Sequence, residues 1–265
     1  LRFGRLGVGA FVDQIGLPAL GDREVSLLVL RSTAGVAWAL PGDAWVLAAG
    51  LHTLANDLTT ASGEVVGAFA LGAGANILYR PPGQRLRLGL SMRLPQAARI
   101  QGGGQGGIPE AIIEPWRFAL GGAWWIGEGQ LNQPIPDSDA YEGRPPAVDG
   151  MLLTVDLVLV LPRKLGGRDA GGLEAFFEGR TQPVNPRPTL SLRVGTETEP
   201  VADHVRMRGG IWLEPSRFAG ISPRLHLSGG IDVRLFTVYG VSIRGSLAFD
   251  LAAGYSISSL SLGFW

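Results

Sequence analysis

The sequence has no cysteine, three histidines and a single lysine, Lys164. It also has no apolar run of the roughly 18 residues that a membrane-crossing helix needs. The missing cysteine excludes disulfides and thiolate metal sites. The histidines His52, His204 and His226 are scattered, and no pair has metal-ligand spacing on one strand, so no metal site is expected. There is no Gly-x-Ser-x-Gly elbow, no Walker loop and no His-Glu-x-x-His. No cofactor is expected: Gly72–Ile77, GAGANI, lacks the third glycine and the strand–helix setting of a dinucleotide site. Basic and acidic residues balance at 23 each, so composition makes no case for nucleic acid. No signal peptide is visible. The chain starts directly on strand-like sequence, as a mature or truncated form does.

What the chain has is glycine, 40 residues of 265, and alternation. The stretch 63–95 sets the pattern. Two extended arms meet at Arg80-Pro81-Pro82-Gly83, where proline fixes φ and glycine permits φ > 0. After that turn Leu86, Leu88, Leu90, Met92 and Leu94 share one parity, against Arg85, Arg87, Gly89, Ser91 and Arg93. Period two with one apolar and one polar face is a strand. In the first arm Val65, Phe69, Leu71, Ile77 and Tyr79 oppose the small residues Ala68, Ala70, Gly72, Gly74 and Asn76.

The same pattern recurs. Residues 23–31 are apolar on both parities and read as a strand covered on both sides. Residues 45–54 admit a short helix, but the Pro41-Gly42-Asp43 turn before them favours a strand. Strands are also expected at 116–126, 151–161, 190–194, 205–213, 225–235, 241–251 and 255–265. In the last, Tyr255 and Ile257 fall on the opposite parity to Leu260, Leu262 and Phe264, so a bulge is expected near Ser258. Residues 97–114, 127–148 and 162–188 read as long loops, the last with an apolar knot of Leu173, Phe176 and Phe177.

Two all-β architectures accommodate this pattern: a soluble sandwich or barrel, and a transmembrane antiparallel β-barrel of about 12–14 strands. Strands of roughly ten residues match a tilted membrane span, whereas ordinary strands average five to six. Tight turns mixed with long loops, and tryptophans near strand ends (Trp45, Trp116, Trp124, Trp125, Trp265), suit the two rims of an outer-membrane barrel. An arginine facing lipid at the midplane costs about 2–4 kcal/mol, so Arg85, Arg87 and Arg93 belong in the lumen. The expectation is therefore one outer-membrane barrel domain over residues 1–265. Leu86, Leu88, Leu90, Val241, Ile243, Leu247 and Phe249 should face lipid. Residues 97–114 and 162–188 should share the extracellular rim, with 127–148 opposite.

The run from Trp45 to Pro95 resembles the FadL/TodX family of outer-membrane transporters of long-chain fatty acids and other hydrophobic compounds. The residues that carry the likeness are WVLAAGL at 45–51, GAFALGAGANILYRP at 67–81 and RLRLGLSMRLP at 85–95. LSLRVG at 190–195 and VRMRGGIWLEPSRF at 205–218 are similar to its paired late strands. The resemblance implies a 14-stranded barrel, an N-terminal hatch and lateral release through a wall opening. No hatch-like segment with an Asn-Pro-Ala start precedes Leu1, so neither plug nor gate carries over.

Alternation puts Arg85, Arg87, Arg93, Arg206, Arg208, Arg234 and Arg244 inside, with Asp156, Asp232 and Asp250. The arginines outnumber these acids, so a net positive lumen that favours amphipathic anions is expected. Together with Leu173, Phe176 and Phe177 they form the candidate ligand site: carboxylate to arginine, tail against the knot and the small inner face of residues 68–76. The bland counterpart is a salt-bridge ladder that only stiffens the barrel. The leading expectation is passive transport of hydrophobic or amphipathic molecules such as long-chain fatty acids. Outer-membrane lipids would surround the barrel, and other envelope proteins are conceivable partners. The alternatives are a scaffold barrel in a larger envelope complex, and a barrel phospholipase using His204 or His226 beside Ser228 and Asp232. No catalytic residues are assigned.

Overall fold

In the computed structural model the period-two alternation becomes extended strand throughout, and no helix occurs among the described residues. Those residues are 2–3, 5–17, 26–59, 63, 65–100, 111–128, 132, 150–161, 171–172, 187–201, 204–215, 222–238, 241–253 and 255–264. The strands are β1 (Arg2–Phe3), β2 (Leu6–Leu17), β3 (Ser26–Ala39), β4 (Trp45–Thr59), β5 (Val65–Tyr79), β6 (Leu86–Arg93), β7 (Gln96–Arg99), β8 (Ala111–Glu114), β9 (Trp116–Gly127), β10 (Gly150–Leu161), β11 (Gly171–Gly172), β12 (Thr189–Val201), β13 (Val205–Glu214), β14 (Arg224–Val238), β15 (Val241–Ala252) and β16 (Tyr255–Phe264).

Thirteen strands form one sheet, of which β1 is only a two-residue edge on β2. The remaining twelve run β2-β16-β15-β14-β13-β12-β10-β9-β6-β5-β4-β3, and β3 returns to β2. Each wall pairing is antiparallel, so the sheet closes into a barrel with no free edge strand. The expected turns are in place. Gly42 and Gly83 take φ of 85° and 73°, the left-handed region that glycine enters without a Cβ clash.

The outer face is a continuous apolar belt. Phe69, Leu71 and Leu260 are 63%, 61% and 67% exposed, and Leu88, Leu90, Leu247 and Phe249 are exposed beside them. A water-facing sheet alternates this way only when a second layer covers its apolar side. A closed barrel has no second layer outside, so hydrocarbon is the medium that suits this face. Leu86 and Ile243 lie half-buried on the same side, and the side chain of Val241 falls outside the description. Trp38, Trp45 and Trp124 stand exposed on this face, and Trp45 packs on Tyr79 with ring centroids 4.7 Å apart. Trp125 corrects the girdle expectation. It lies on the inner face, over the Cα of Gly150, and its Nε1 donates to the Glu128 carbonyl at 3.0 Å. Trp265 lies outside the described residues.

The bulge near Ser258 is also corrected. The β15–β16 register runs unbroken from Ala252↔Tyr255 to Ile243↔Phe264. Ile257 therefore points inward and is buried, while Ser256 and Ser258 take the outer face. An inward isoleucine needs no bulge because the lumen there is partly apolar. The irregularities fall elsewhere, between Arg234 and Phe236 on β14 and between Thr198 and Val201 on β12.

Residues 97–114 are not simply a loop. β6 pairs with β9 from Arg93↔Arg117, and β7 pairs with β8 from Gln96↔Glu114 to Arg99↔Ala111. The two ladders share one register, so they are a single hairpin broken where Pro95 faces Pro115. Proline has no N–H to give the ladder, and two facing prolines interrupt it from both sides. Beyond the break the hairpin leaves the wall and turns inward. The Gln96 side chain lies over the inner face of Gly72, and the Leu94 N–H donates to the Ala73 carbonyl at 2.9 Å. Ala98, Ile100, Ala111 and Ile113 are buried, as are Val29, Leu54, Leu58 and Ala70 on the inner wall. The hairpin packs on β5 and the adjoining part of β4, and on β3 the inward Val29 is buried while Leu28 and Leu30 are exposed on the outer face.

On this side a row of glycines, Gly9↔Gly35↔Gly50↔Gly74, crosses four strands on the inner face. A Cβ at Gly50 would meet the Ala34 carbonyl oxygen at 2.9 Å, so the row lets the sheet curve tightly. β11, from the segment between β10 and β12, pairs in parallel with β8. β6 ends, β9 begins, β10 ends and β12 begins at one rim, while β9 ends and β10 begins at the other, so the connections expected at 97–114 and 162–188 share a rim and that at 127–148 lies opposite.

Candidate functional site

With the hairpin filling the β4–β5 side, the open part of the lumen lies mainly against β10 and β12–β16 and reaches Arg31 on β3 and Arg117 on β9. It is a cavity of about 610 Å³, within the roughly 300–1,000 Å³ usual for small-molecule sites. Hydroxyls of Thr154, Ser191, Ser228 and Ser259 line it, with Val160, Ala248 and Ile257 as apolar patches. Alternation explains each of these: all sit on inward parities of long strands.

The wall carries a stack three strands wide. Trp212 on β13 lies between the Arg193 guanidinium, 4.7 Å from the ring centroid, and the His226 ring at 3.8 Å. Registers Arg193↔Trp212 and Trp212↔His226 place the three side by side. His226 is almost wholly buried. Its Nδ1 lies 3.0 Å from both Asp250 oxygens and its Nε2 3.0 Å from Glu214 Oε2. Arg224 closes the network with an ion pair to Glu214 at 2.8 Å. Burying these groups is tolerable because each ring nitrogen of His226 meets a carboxylate and Glu214 also meets the Arg224 guanidinium.

The end nearest the β12–β13 turn is an ion-pair floor. Arg208 meets Glu197 at 2.6 Å and Asp232 at 3.5 Å. Arg206 meets Glu197 at 3.3 Å, and Arg244, itself buried, lies 3.7 Å from Asp232. Arg234 NH2 is 2.9 Å from His204 Nε2. Four of the expected arginines, Arg206, Arg208, Arg234 and Arg244, are therefore brought together, with Asp232 among them.

The other three lie apart, on β6 and the turn before it. Arg85 is exposed, and Arg93 is exposed opposite Arg117. Arg87 Nε donates to Asn132 Oδ1 at 2.8 Å. Asn132 is fully buried and also donates to the Pro81 and Leu86 carbonyls at 3.0 and 2.8 Å. Leu173, Phe176 and Phe177 lie outside the described residues. The small inner face at Ala70 and Gly72 is covered by β7 and offers no room for a tail.

The expected positive lumen is corrected at the cavity. Arg31, Arg117, Arg193 and Arg208 line it together with Asp156, Glu197, Glu214 and Asp250, so the charges balance. Glu197 and Glu214 were the omission, though both sit on the inward parity of their strands. Arg31, Arg117, Arg193 and Trp212 carry the same signal.

No family model matches the chain, and no curated protein is significantly similar to it. Solved structures do share its fold. The translocator domain of the autotransporter NalP from Neisseria meningitidis aligns with a TM-score of 0.56 at 14% identity, covering 100% of this chain and 89% of that one. A Pseudomonas aeruginosa FadL homologue aligns at 0.52 and 12% identity, covering 98% of this chain and 74% of that one. The Pseudomonas putida toluene transporter TodX aligns at 0.52 and 10% identity, covering 99% and 90%. The chain has the fold of a bacterial outer-membrane β-barrel. Channels for hydrophobic compounds and autotransporter barrels both use that fold, so the site, not the fold, must carry the function.

Proposed function

We propose that this outer-membrane barrel passively passes small hydrophobic or amphipathic molecules, with long-chain carboxylates such as fatty acids as the favoured class. The observation that carries the reading is the cavity itself. Arg193 and Arg208 line it together with the apolar side chains of Val160 and Ile257, inside a lipid-facing barrel. Guanidinium binds carboxylate by paired N–H donors, and the apolar patches suit the tail. The names of the FadL homologue and TodX are consistent with it.

Catalysis is not part of this reading. His226 has a carboxylate at each ring nitrogen, His204 lies against Arg234, and His52 Nδ1 is 2.9 Å from the Thr33 hydroxyl. The ion-pair floor favours a second reading, a scaffold barrel stiffened by its lumen charges.

Uptake into proteoliposomes separates the two. A radiolabelled long-chain carboxylate should enter, and Arg193→Gln together with Arg208→Gln should slow it about tenfold, the effect of a lost charged hydrogen bond of ~1.4 kcal/mol. Entry of a neutral hydrocarbon should change little. If the parent barrel admits neither compound, the scaffold reading replaces this one.

A further inference from the structure

The hairpin that turns inward at Pro95 and Pro115 is larger than a turn between wall strands requires. β6 and β9 already pair along eight residue positions, from Leu86↔Trp124 to Arg93↔Arg117. A two-residue turn beyond Arg93 would complete the wall. Instead the chain continues in register into β7 and β8 and enters the barrel. There it meets the inner face of β5 and the adjoining part of β4, where Ala70 and Gly72 are small and Leu54, Asn56 and Leu58 are buried. Ala98 is 0% and Ala111 1% exposed, as deeply buried as any residue of the barrel. The two surfaces are matched: the wall lacks bulk where the hairpin supplies it. β11 adds a third strand from a different connection, which ties the hairpin at the same rim.

We propose that β7 and β8 form a resident plug, a fixed partition that seals the β4–β5 side of the lumen and confines solute flow to the remainder, chiefly the β10–β16 side. The plug sets the bore of the barrel, whatever the solute. This goes beyond the ligand assignment and does not depend on it, since permeation of any small polar solute reads it. A packed apolar interface held by facing prolines is rigid, so the plug need not move for solutes to pass.

The absence of cysteine makes the test clean. In the first variant residues 96–114 are replaced by a short glycine–serine turn. Proteoliposome swelling in sugars of increasing size reports the bore. In the second, Ala98→Asp places a charge at the buried interface to expel the hairpin from the wall without shortening the chain. In the third, Gly72→Cys with Gln96→Cys is oxidised to tie β7 to β5. The third pair is chosen because the Gln96 side chain already touches the position a Cβ of residue 72 would occupy. The deletion and Ala98→Asp should each raise sugar permeation several-fold and admit larger sugars. The oxidised pair should form readily and leave permeation at the parent level. Unchanged permeation in both Ala98→Asp and the deletion overturns the partition. Permeation that stops on oxidation and returns on reduction overturns its fixity. Should the deletion not fold, the other two variants still decide.

Discussion

Inward residues on β3–β5 include Val29, Leu54, Asn56, Leu58 and Ala70, none more than 5% exposed. Inward residues on β12–β16 include Arg193, Trp212, Ser228 and Ser259, which line an open cavity. Both sets come from strands with the same alternation, the same apolar outer face and the same wall hydrogen bonds. One side behaves as a core held by close packing. The other is held by paired charges and hydrogen bonds around a space. The difference lies in what covers the inner face, and that cover comes from a segment distant in sequence from most of the wall it meets.

The sharpest way to break this comparison is to place a charge on each side. Val29→Asp buries an unpaired carboxylate and should cost more than about 3 kcal/mol, seen as a fall in the urea midpoint of the detergent-solubilised barrel. Ser259→Asp faces the cavity and should shift the same midpoint by less than about 0.5 kcal/mol. Equal losses would mean the two sides are not distinct.

Next in size is the hydrogen-bonded network of the open side. Asp250→Ala leaves His226 Nδ1 without its carboxylate and should cost about 1–3 kcal/mol. Combining it with His226→Gln should cost less than the sum of the two single changes, because the pair acts as a unit. Additivity in that double-mutant cycle would show that the network does not hold the wall.

Smaller again is a contrast of two inward glycines. Gly50→Ala drives a methyl against the Ala34 carbonyl, which cannot yield without moving the sheet, and should cost about 1–2 kcal/mol. Gly121→Ala meets chiefly the Asp156 carboxylate, a side chain that lines the cavity and can shift into it, with the Val155 carbonyl at an ordinary 3.8 Å, and should cost less than about 0.5 kcal/mol. Heating until the barrel no longer migrates as folded on a gel compares the two directly. The smallest effect is expected at Arg85. It is exposed at the turn before β6, so Arg85→Gln should leave both stability and carboxylate uptake unchanged.

Much of the wall was legible in sequence. Leu88, Leu90, Leu247 and Phe249 alternate with polar neighbours, and period two leaves no choice about which face each takes. The Pro-Pro-Gly turn needed only local backbone rules. The inward placement of Arg87, Arg93, Arg206, Arg208, Arg234 and Arg244 followed from the cost of arginine in lipid. Their partners did not follow. Arg208 meets Glu197 and Asp232, and Arg87 meets Asn132, through registers and connections that alternation cannot fix. The bulge near Ser258 failed for a related reason. It assumed that an apolar residue must face outward, and Ile257 found an apolar patch inside.

By itself the sequence determined the strand type, the two faces of each strand and the medium each face meets. These rest on interactions within a few residues and on the transfer energy of single side chains. Only the tertiary structure decided that twelve strands close the wall, that Pro95 and Pro115 face each other, and that the hairpin beyond them fills one side of the lumen. Those depend on which strands become neighbours and in what register. Pairing energies between distant segments set that, and alternation is the same for every register that keeps the parity.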